Sequence, residues 1–390
     1  MNSRIKTRID MAQMLQERMT KTYATLLEKQ ELEPDTTLVK SYIKEAHVHG
    51  EETSDDVLKV ARSIFKDETV SKRYGLKVRK TDEDFFFIIQ CSMNQEPVTI
   101  YLDGTNSRFW FLHSMNSSTA LDSLFDRIVA NTPVLDHTWM PIHILEGMAG
   151  FGHLRGLGLD YDRRVLPDID FEADTSSVEF LKMQLWGNKA SDVLRILRQE
   201  GAFPHEATLS KVKIKRWLNR LDDKEFSIDD IKYDGKVTAR GTSFQTHATI
   251  MQEIHRRYTD LILSIEKDFS LRWQFDEHRA SVSGEPVTFS FKRPIADLER
   301  FCEHLFNTAH PFRLWGVPQF RGERVATVHA VDLHVGTPLN FEITNDFIRV
   351  YLPHGGCGNS IVRVFTNLQH YYDSLVDAID GHERPVFEQL

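Results

Sequence analysis

Cysteine is scarce in this chain: Cys91, Cys302 and Cys357 are the only three in 390 residues. An odd number at wide spacing indicates neither a disulfide framework nor a paired CxxC zinc site. Long apolar runs are also missing. No stretch approaches the ~18 residues that a membrane-crossing helix needs, so no such span is expected. The first residues, Met1-Asn2-Ser3-Arg4-Ile5-Lys6, are charged rather than apolar. The expectation is a soluble cytoplasmic protein without a signal peptide. There is no excess of positive charge, the net charge being −9. That excludes wholesale coating of nucleic acid or anionic membrane, and any such contact must use a local basic patch.

What the chain does have is core material. It carries 25 Phe and 6 Trp, with 41% hydrophobic and 27% charged residues. At ~150 residues per domain, two or three globular units are expected. Residues 5–29, 36–47 and a segment opened by Thr53-Ser54-Asp55-Asp56 read as helices. Residues 75–79, 84–90, 97–102 and 108–113 read as strands, with Asp103-Gly104-Thr105-Asn106 as a hairpin turn. A helix over 118–129 and a loop-rich stretch follow, the latter ending in an acidic run near 168–174.

Further on, 177–199 reads as two helical pieces, 211–217 and 236–240 as strands, and 243–265 as a long helix. The last part reads as strands 270–275 and 286–291, helix 294–307, strands 324–335, 338–344 and 347–352, and helix 360–379. The fold class is therefore α+β: a helical amino-terminal cap, then two or three mixed units with mainly antiparallel sheets. Strand–strand–helix segments recur, as in 98–129 and 339–379. The expected units are 1–70, 71–170, 171–267 with its basic strands and long helix, and 268–390 with its three-stranded antiparallel sheet.

The carboxy-terminal sheet is the most informative region. If Gly336-Thr337 and Asn345-Asp346 are two-residue turns, Val331 faces Glu342 and Asp332 faces Phe341. In the second hairpin Glu342 faces Arg349 and Phe341 faces Val350. Alternation then puts Val328, Ala330, Leu339, Phe341, Ile343, Ile348, Val350 and Leu352 on one apolar face. Asp332 and His334 fall on that same face, beside the glycine-rich loop that opens the next helix.

Two chemistries suit that loop. His354, Gly355, Gly356, Gly358, Asn359 and Ser360 form a candidate ligand-binding set, with helix N–H groups available to a phosphate or nucleotide. Alternatively Cys357 is a nucleophile, with His334 as general base and Asp332 orienting the imidazole, as in a hydrolase or transferase. A plainer reading makes the same residues a network that braces the turn. Neither GxxxxGK[ST] nor GxGxxG fits the loop.

A second candidate surface is basic. Lys211, Lys213, Lys215 and Trp217 share one face of a strand, and Lys236, Thr238 and Arg240 one face of another. If the two strands pair, the surface suits a phosphate backbone, with Trp217 for base stacking. Arg313, Trp315, Phe320, Arg321 and Arg324 form a second basic and aromatic stretch. Lysines on a strand also serve simply to prevent edge-to-edge aggregation. The histidines and acids of 133–160, Asp136, His137, His143, Glu146 and His153, match no metal signature, HExxH being absent, so no metal is expected. His247 reads as a core histidine.

The leading expectation is a non-catalytic binding subunit whose partner is nucleic acid or protein, acting through strands 211–217 and 236–240. The alternatives are a sensor of a phosphorylated small molecule using 353–360, and a cysteine enzyme centred on Cys357. No cofactor is indicated.

Overall fold

The computed structural model describes the chain except residues 1–4, 30–37, 49–51, 65–74, 94–95, 170–177, 188, 200–202, 220–221, 277–278, 309, 323 and 388–390. Most of the expected acidic run, from 170 onward, lies outside the described residues. The fold is α+β. Among the described residues there are eight α-helices and two sheets, one of eleven antiparallel strands and one of nine mixed strands. The chain divides into two compact units.

The first unit comprises 1–138, 149–154 and 213–256. Its strands run in the order Lys77–Lys80, Phe86–Met93, Glu96–Asp103, Phe109–Ser114, Val39–Ala46, Lys236–Gly241, Asp222–Lys232. Side chains alternate across a strand, and both faces of this sheet are covered. Phe87 and Ile89 join the cluster that holds Val57, Leu58, Leu121, Phe125 and Ile128 of helices Ser54–Ile64 and Ser118–Asn131. Phe86 and Ile88 point the other way, into a cluster with Leu15 and Met19 of helix Arg8–Lys29 and Phe244 of helix Phe244–Asp268. Ser117 caps Ser118–Asn131, its side chain accepting from the Ala120 N–H.

Residues 39–46 are a central strand with every residue buried, not the helix expected over 36–47. A strand buried on both faces shows no period-2 pattern, which is why Val-Lys-Ser-Tyr-Ile-Lys-Glu-Ala misleads. The acidic strand Asp222–Lys232 was not foreseen either. It lies beside Lys236–Gly241, with Asp229 opposite Ala239 and Asp230 opposite Thr238. It therefore occupies the place where strand 211–217 was expected to pair with 236–240. Aspartate is depleted in strands, so composition hid it.

The second unit comprises 139–148, 155–212 and 257–390. Residues 180–186 form a strand, Phe180–Trp186, rather than a helix, and helix Ala190–Gln199 follows. The main sheet runs Arg279–Ser283, Ser270–Asp276, Phe347–Pro353, Pro338–Thr344, Val325–Asp332, Leu314–Trp315. One pairing is parallel, Ser270–Leu271 against Leu352–Pro353.

The second hairpin has the expected register, Glu342 opposite Arg349 and Phe341 opposite Val350. The first does not. Val331 pairs with Pro338 and Val328 with Phe341, because the turn takes in residues 332–337 rather than Gly336-Thr337 alone. The slip is an even number of positions, so the apolar face is unchanged: Val328, Ala330, Leu339, Phe341, Ile343, Ile348, Val350 and Leu352 are all buried.

Helix Gly358–Tyr371 ends at 371 and gives way to strand Asp377–Ile379, where a helix to 379 was expected. Residues 358–370 of this helix are all buried. Its apolar groups meet the sheet, and several of its polar groups find partners. Asn367 donates to the Arg363 carbonyl at 2.7 Å, and His370 Nδ1 lies 3.0 Å from the Asp160 carbonyl.

Candidate functional site

The glycine-rich loop delivers its residues to the start of that buried helix. Cys357 takes the N-cap position but makes no capping hydrogen bond with its side chain. Its Sγ and a ring nitrogen of His334 lie within 4.8 Å of one another. Both are buried, Cys357 at 4% exposure and His334 at 0%. The structure thus brings together the thiol and imidazole that the sequence singled out.

Asp332 is committed elsewhere. Its carboxylate is paired with the Arg363 guanidinium, accepts from the Ser360 hydroxyl, and accepts the backbone N–H of His334 at 2.9 Å. Arg363 Nε in turn donates to the Phe312 carbonyl at 3.0 Å.

The helix N-terminus already holds an anion. The Gly358 N–H donates to Glu266 Oε1 at 2.8 Å, so a carboxylate of the chain sits where a phosphate was expected. Asn359 receives the Tyr258 hydroxyl, which itself accepts the Trp139 N–H at 2.9 Å. His354 and Gly355 are exposed, and Gly355 has φ +79°. A Cβ on Gly356 would meet Leu352 Cδ1 at 2.5 Å and the Pro353 carbonyl at 2.9 Å, so that glycine is there for packing.

The basic strands are largely neutralised. Lys213 is buried and paired with Asp230 at 3.2 Å, and Lys236 is buried and paired with Asp122 at 2.6 Å. Lys215 lies over the rings of Phe226, at 4.0 Å, and Trp217, at 4.7 Å. Trp217 also meets the His153 ring edge-on at 5.0 Å. Lys211 and Arg240 are half-buried.

The second basic stretch fares differently. Arg313 is buried, in a left-handed conformation with φ +55°. Trp315, Phe320, Arg321 and Arg324 are exposed. Larger still is the apolar surface on the hairpin Ser270–Asp276/Arg279–Ser283. Trp273 and Phe275 are 68% and 80% exposed, with rings 6.4 Å apart and nearly parallel at 20°. Val282 pairs with Trp273 in the ladder and is also exposed. The sequence offered a signal here, two aromatics at i and i+2 in a polar strand, and it was passed over.

Two further constellations were not legible beforehand. Lys44 is buried in the first unit against His137 Nδ1, with its ammonium 5.4 Å from the Tyr42 ring and 5.6 Å from that of Phe125. Burial pulls its pKa down to about 8, against the opposing pull of Asp234, Asp126, Asp122 and Asp136. Asp234 is held well below the ordinary carboxylate range: burial works against this, but Lys232, Lys44, His137 and Lys236 outweigh it. Tyr42 donates to Asp122 at 2.8 Å. Reading 36–47 as a helix hid that Lys40, Tyr42 and Lys44 share one face.

On the opposite face of the same strand, Ser41 Oγ lies 2.7 Å from both His113 Nδ1 and His247 Nε2. His247 Nδ1 is 2.5 Å from Asp229, whose other oxygen accepts from Ser227 at 2.5 Å. This is the connectivity of a Ser-His-Asp triad, but Ser41, His247 and Asp229 are all at 0% exposure. It is a buried hydrogen-bond chain that fixes the strand against the long helix. His247 is the core histidine expected. Of the 133–160 group, Asp136 is buried, His143 contacts Phe387 and Glu146 pairs with Arg198.

Comparison with known proteins places the chain in a family. Residues 1–385 match the family described as MJECL33-like protein, and the chain belongs to it. A relative from Methanocaldococcus jannaschii, described as the uncharacterized protein MJECL33, is 29% identical over 408 residues, covering 95% of this chain and 93% of the relative. No solved structure matches. No helix among the described residues is long and apolar enough to cross a membrane.

Proposed function

We propose that the protein is a non-catalytic interaction subunit that takes up an extended segment of a partner protein at the hairpin Ser270–Asp276/Arg279–Ser283. The observation that carries this is the exposed Trp273–Phe275 stack. Exposed aromatics standing together are costly in water and are the commonest anchors of protein interfaces. Among the described residues, Arg279–Ser283 pairs only with Ser270–Asp276 and ends the sheet. Its free edge offers N–H and C=O groups to an added strand, and the partner is then an apolar-alternating segment whose side chains meet Trp273, Phe275 and Val282.

The test is photo-crosslinking in the native host from a benzoylphenylalanine placed at Phe275. One discrete adduct with another protein is expected, lost in Trp273→Ser and in the edge-blocking Ser281→Pro. No adduct, adducts indifferent to both substitutions, or a crosslink only to a second copy of the chain would sink this reading.

A second reading is favoured by the exposed side chains Trp315, Phe320, Arg321 and Arg324, on and beside the short strands Leu314–Trp315 and Gln319–Phe320. There Trp315 and Phe320 can stack on bases while Arg321 and Arg324 meet phosphates of a single strand. With Lys213 and Lys236 spent on Asp230 and Asp122, nucleic acid would have to bind through these four residues. Protein purified without nuclease should then carry oligonucleotide that Arg321→Glu/Arg324→Glu releases. Clean protein with no salt-sensitive binding of oligonucleotides would discard it.

A further inference from the structure

The second unit carries a half-open pocket of about 400 Å³ that neither the exposed hairpin nor the glycine-rich loop uses. That volume lies in the range of small-molecule sites. One wall is aromatic: the Phe387 ring, 3% exposed, stacks against His143 at 5.9 Å and 22° and lies tilted on Phe365 at 4.7 Å and 34°. Two polar groups on the lining have their roles set by their other contacts. His143 Nε2 lies 2.9 Å from the Phe387 carbonyl, which can only accept, so Nε2 carries the proton. Burial lowers the pKa of His143, so the ring is neutral and Nδ1 is an acceptor. Gln369 is 4% exposed, and its Oε1 accepts the Ile142 N–H at 3.0 Å. Its NH2 group is therefore left as a donor.

The charges of the lining exclude an anion. Arg198 is paired with Glu146 at 2.5 Å, Asp377 is paired with Lys292 at 2.7 Å, and Glu383 adds a third carboxylate. A phosphate or carboxylate would meet three acids, and the two cations beside them, Arg198 and Lys292, are already engaged.

We infer that this cavity binds an uncharged planar heterocycle of nucleobase or nucleoside size, seated against the His143–Phe387 wall and read by His143 Nδ1 as acceptor and the Gln369 amide as donor. The pairing of one donor with one acceptor beside a ring face is what a heterocycle edge matches. The inference is independent of the interaction surface, since no residue is shared.

The experiment is saturation-transfer NMR and calorimetry on the full chain, using adenine, guanine, cytosine and uracil, their nucleosides and the 5′-monophosphates. At least one base or nucleoside should bind saturably below about 1 mM, with its monophosphate about tenfold weaker. His143→Phe keeps the stack on Phe387 but removes the acceptor, and it should weaken binding by about tenfold. Trp273→Ser should leave binding unchanged. If none of the bases or nucleosides binds up to about 5 mM, if monophosphates bind more tightly, or if His143→Phe changes nothing in a folded protein, the assignment fails.

Discussion

Asp332 and Arg363 form an ion pair in which neither side chain has any solvent exposure. The pair ties the end of strand Val325–Asp332 to the buried helix Gly358–Tyr371, and Ser360 on that helix adds a hydroxyl to the same carboxylate. Asp332, which the sequence offers as the third member of a Cys-His-Asp set, holds two elements together.

Removing one partner should therefore be expensive. Arg363→Met strands a buried carboxylate and is expected to cost about 3–5 kcal/mol. The double variant Asp332→Leu/Arg363→Met should recover most of that loss. Urea denaturation of the three proteins checks it, and equal stability of the two variants would argue against a coupled pair.

Gly235 sits at φ +78° in the turn before strand Lys236–Gly241. A Cβ there would come within 1.9 Å of Thr138 Oγ1 and 2.8 Å of the Ile43 carbonyl. Gly235→Ala combines backbone strain with a clash against main chain, and a loss of about 2 kcal/mol or more is expected. A melting curve shifted by less than a few degrees would contradict the packing described for this turn.

Stability should depend on pH through His113. Burial, reinforced by the neighbouring His247, takes its pKa from 6.5 to about 3. Above the unfolded value the imidazole is neutral in both states and its contribution to stability is complete. As pH falls from 6.5 towards 3, the unfolded chain binds a proton that the folded chain refuses. Stability is then lost at up to about 1.4 kcal/mol per pH unit. His113→Asn should flatten the stability profile across that window and leave the alkaline side unaltered. An unchanged slope would show that His113 titrates normally.

The three thiols should differ in native-state alkylation. Burial pushes Cys91 up to about 11 and Cys302 up to about 12. Cys357, near His334, is expected to react with iodoacetamide about tenfold faster than either. Peptide mapping by mass spectrometry reads the order. If Cys357 is no faster, the cysteine-enzyme alternative loses its chemical basis.

Much of the fold could be read from local pattern. Helices Ser54–Ile64, Ser118–Asn131 and Phe244–Asp268 keep one apolar stripe, so their period shows. Strands Pro338–Thr344 and Phe347–Pro353 are covered on one side and alternate cleanly. Where an element is buried all round, the pattern vanishes. That is why Val39–Ala46 read as helix. The candidate thiol and imidazole at Cys357 and His334 were legible because a hairpin and a glycine-rich loop fix their separation locally. The Lys44 cluster and the Ser41–His247–Asp229 chain were not, because each needs residues from strands and helices far apart in sequence.

By itself, then, the sequence determined the α+β class, the apolar face of the carboxy-terminal sheet, and the core position of His247. These follow from periodicity and hydrophobicity, which act over a few residues. Only the tertiary structure decided which charges are free. An acidic strand inserted beside Lys236–Gly241 and a helix carrying Asp122 neutralise lysines that alternation alone had presented as an open basic face. Arg363 likewise takes the Asp332 carboxylate that was expected to orient His334, and Glu266 the helix N–H that was expected to meet a phosphate. Coulomb interactions depend on distance in space, and distance between remote segments is settled by how the sheets and helices pack.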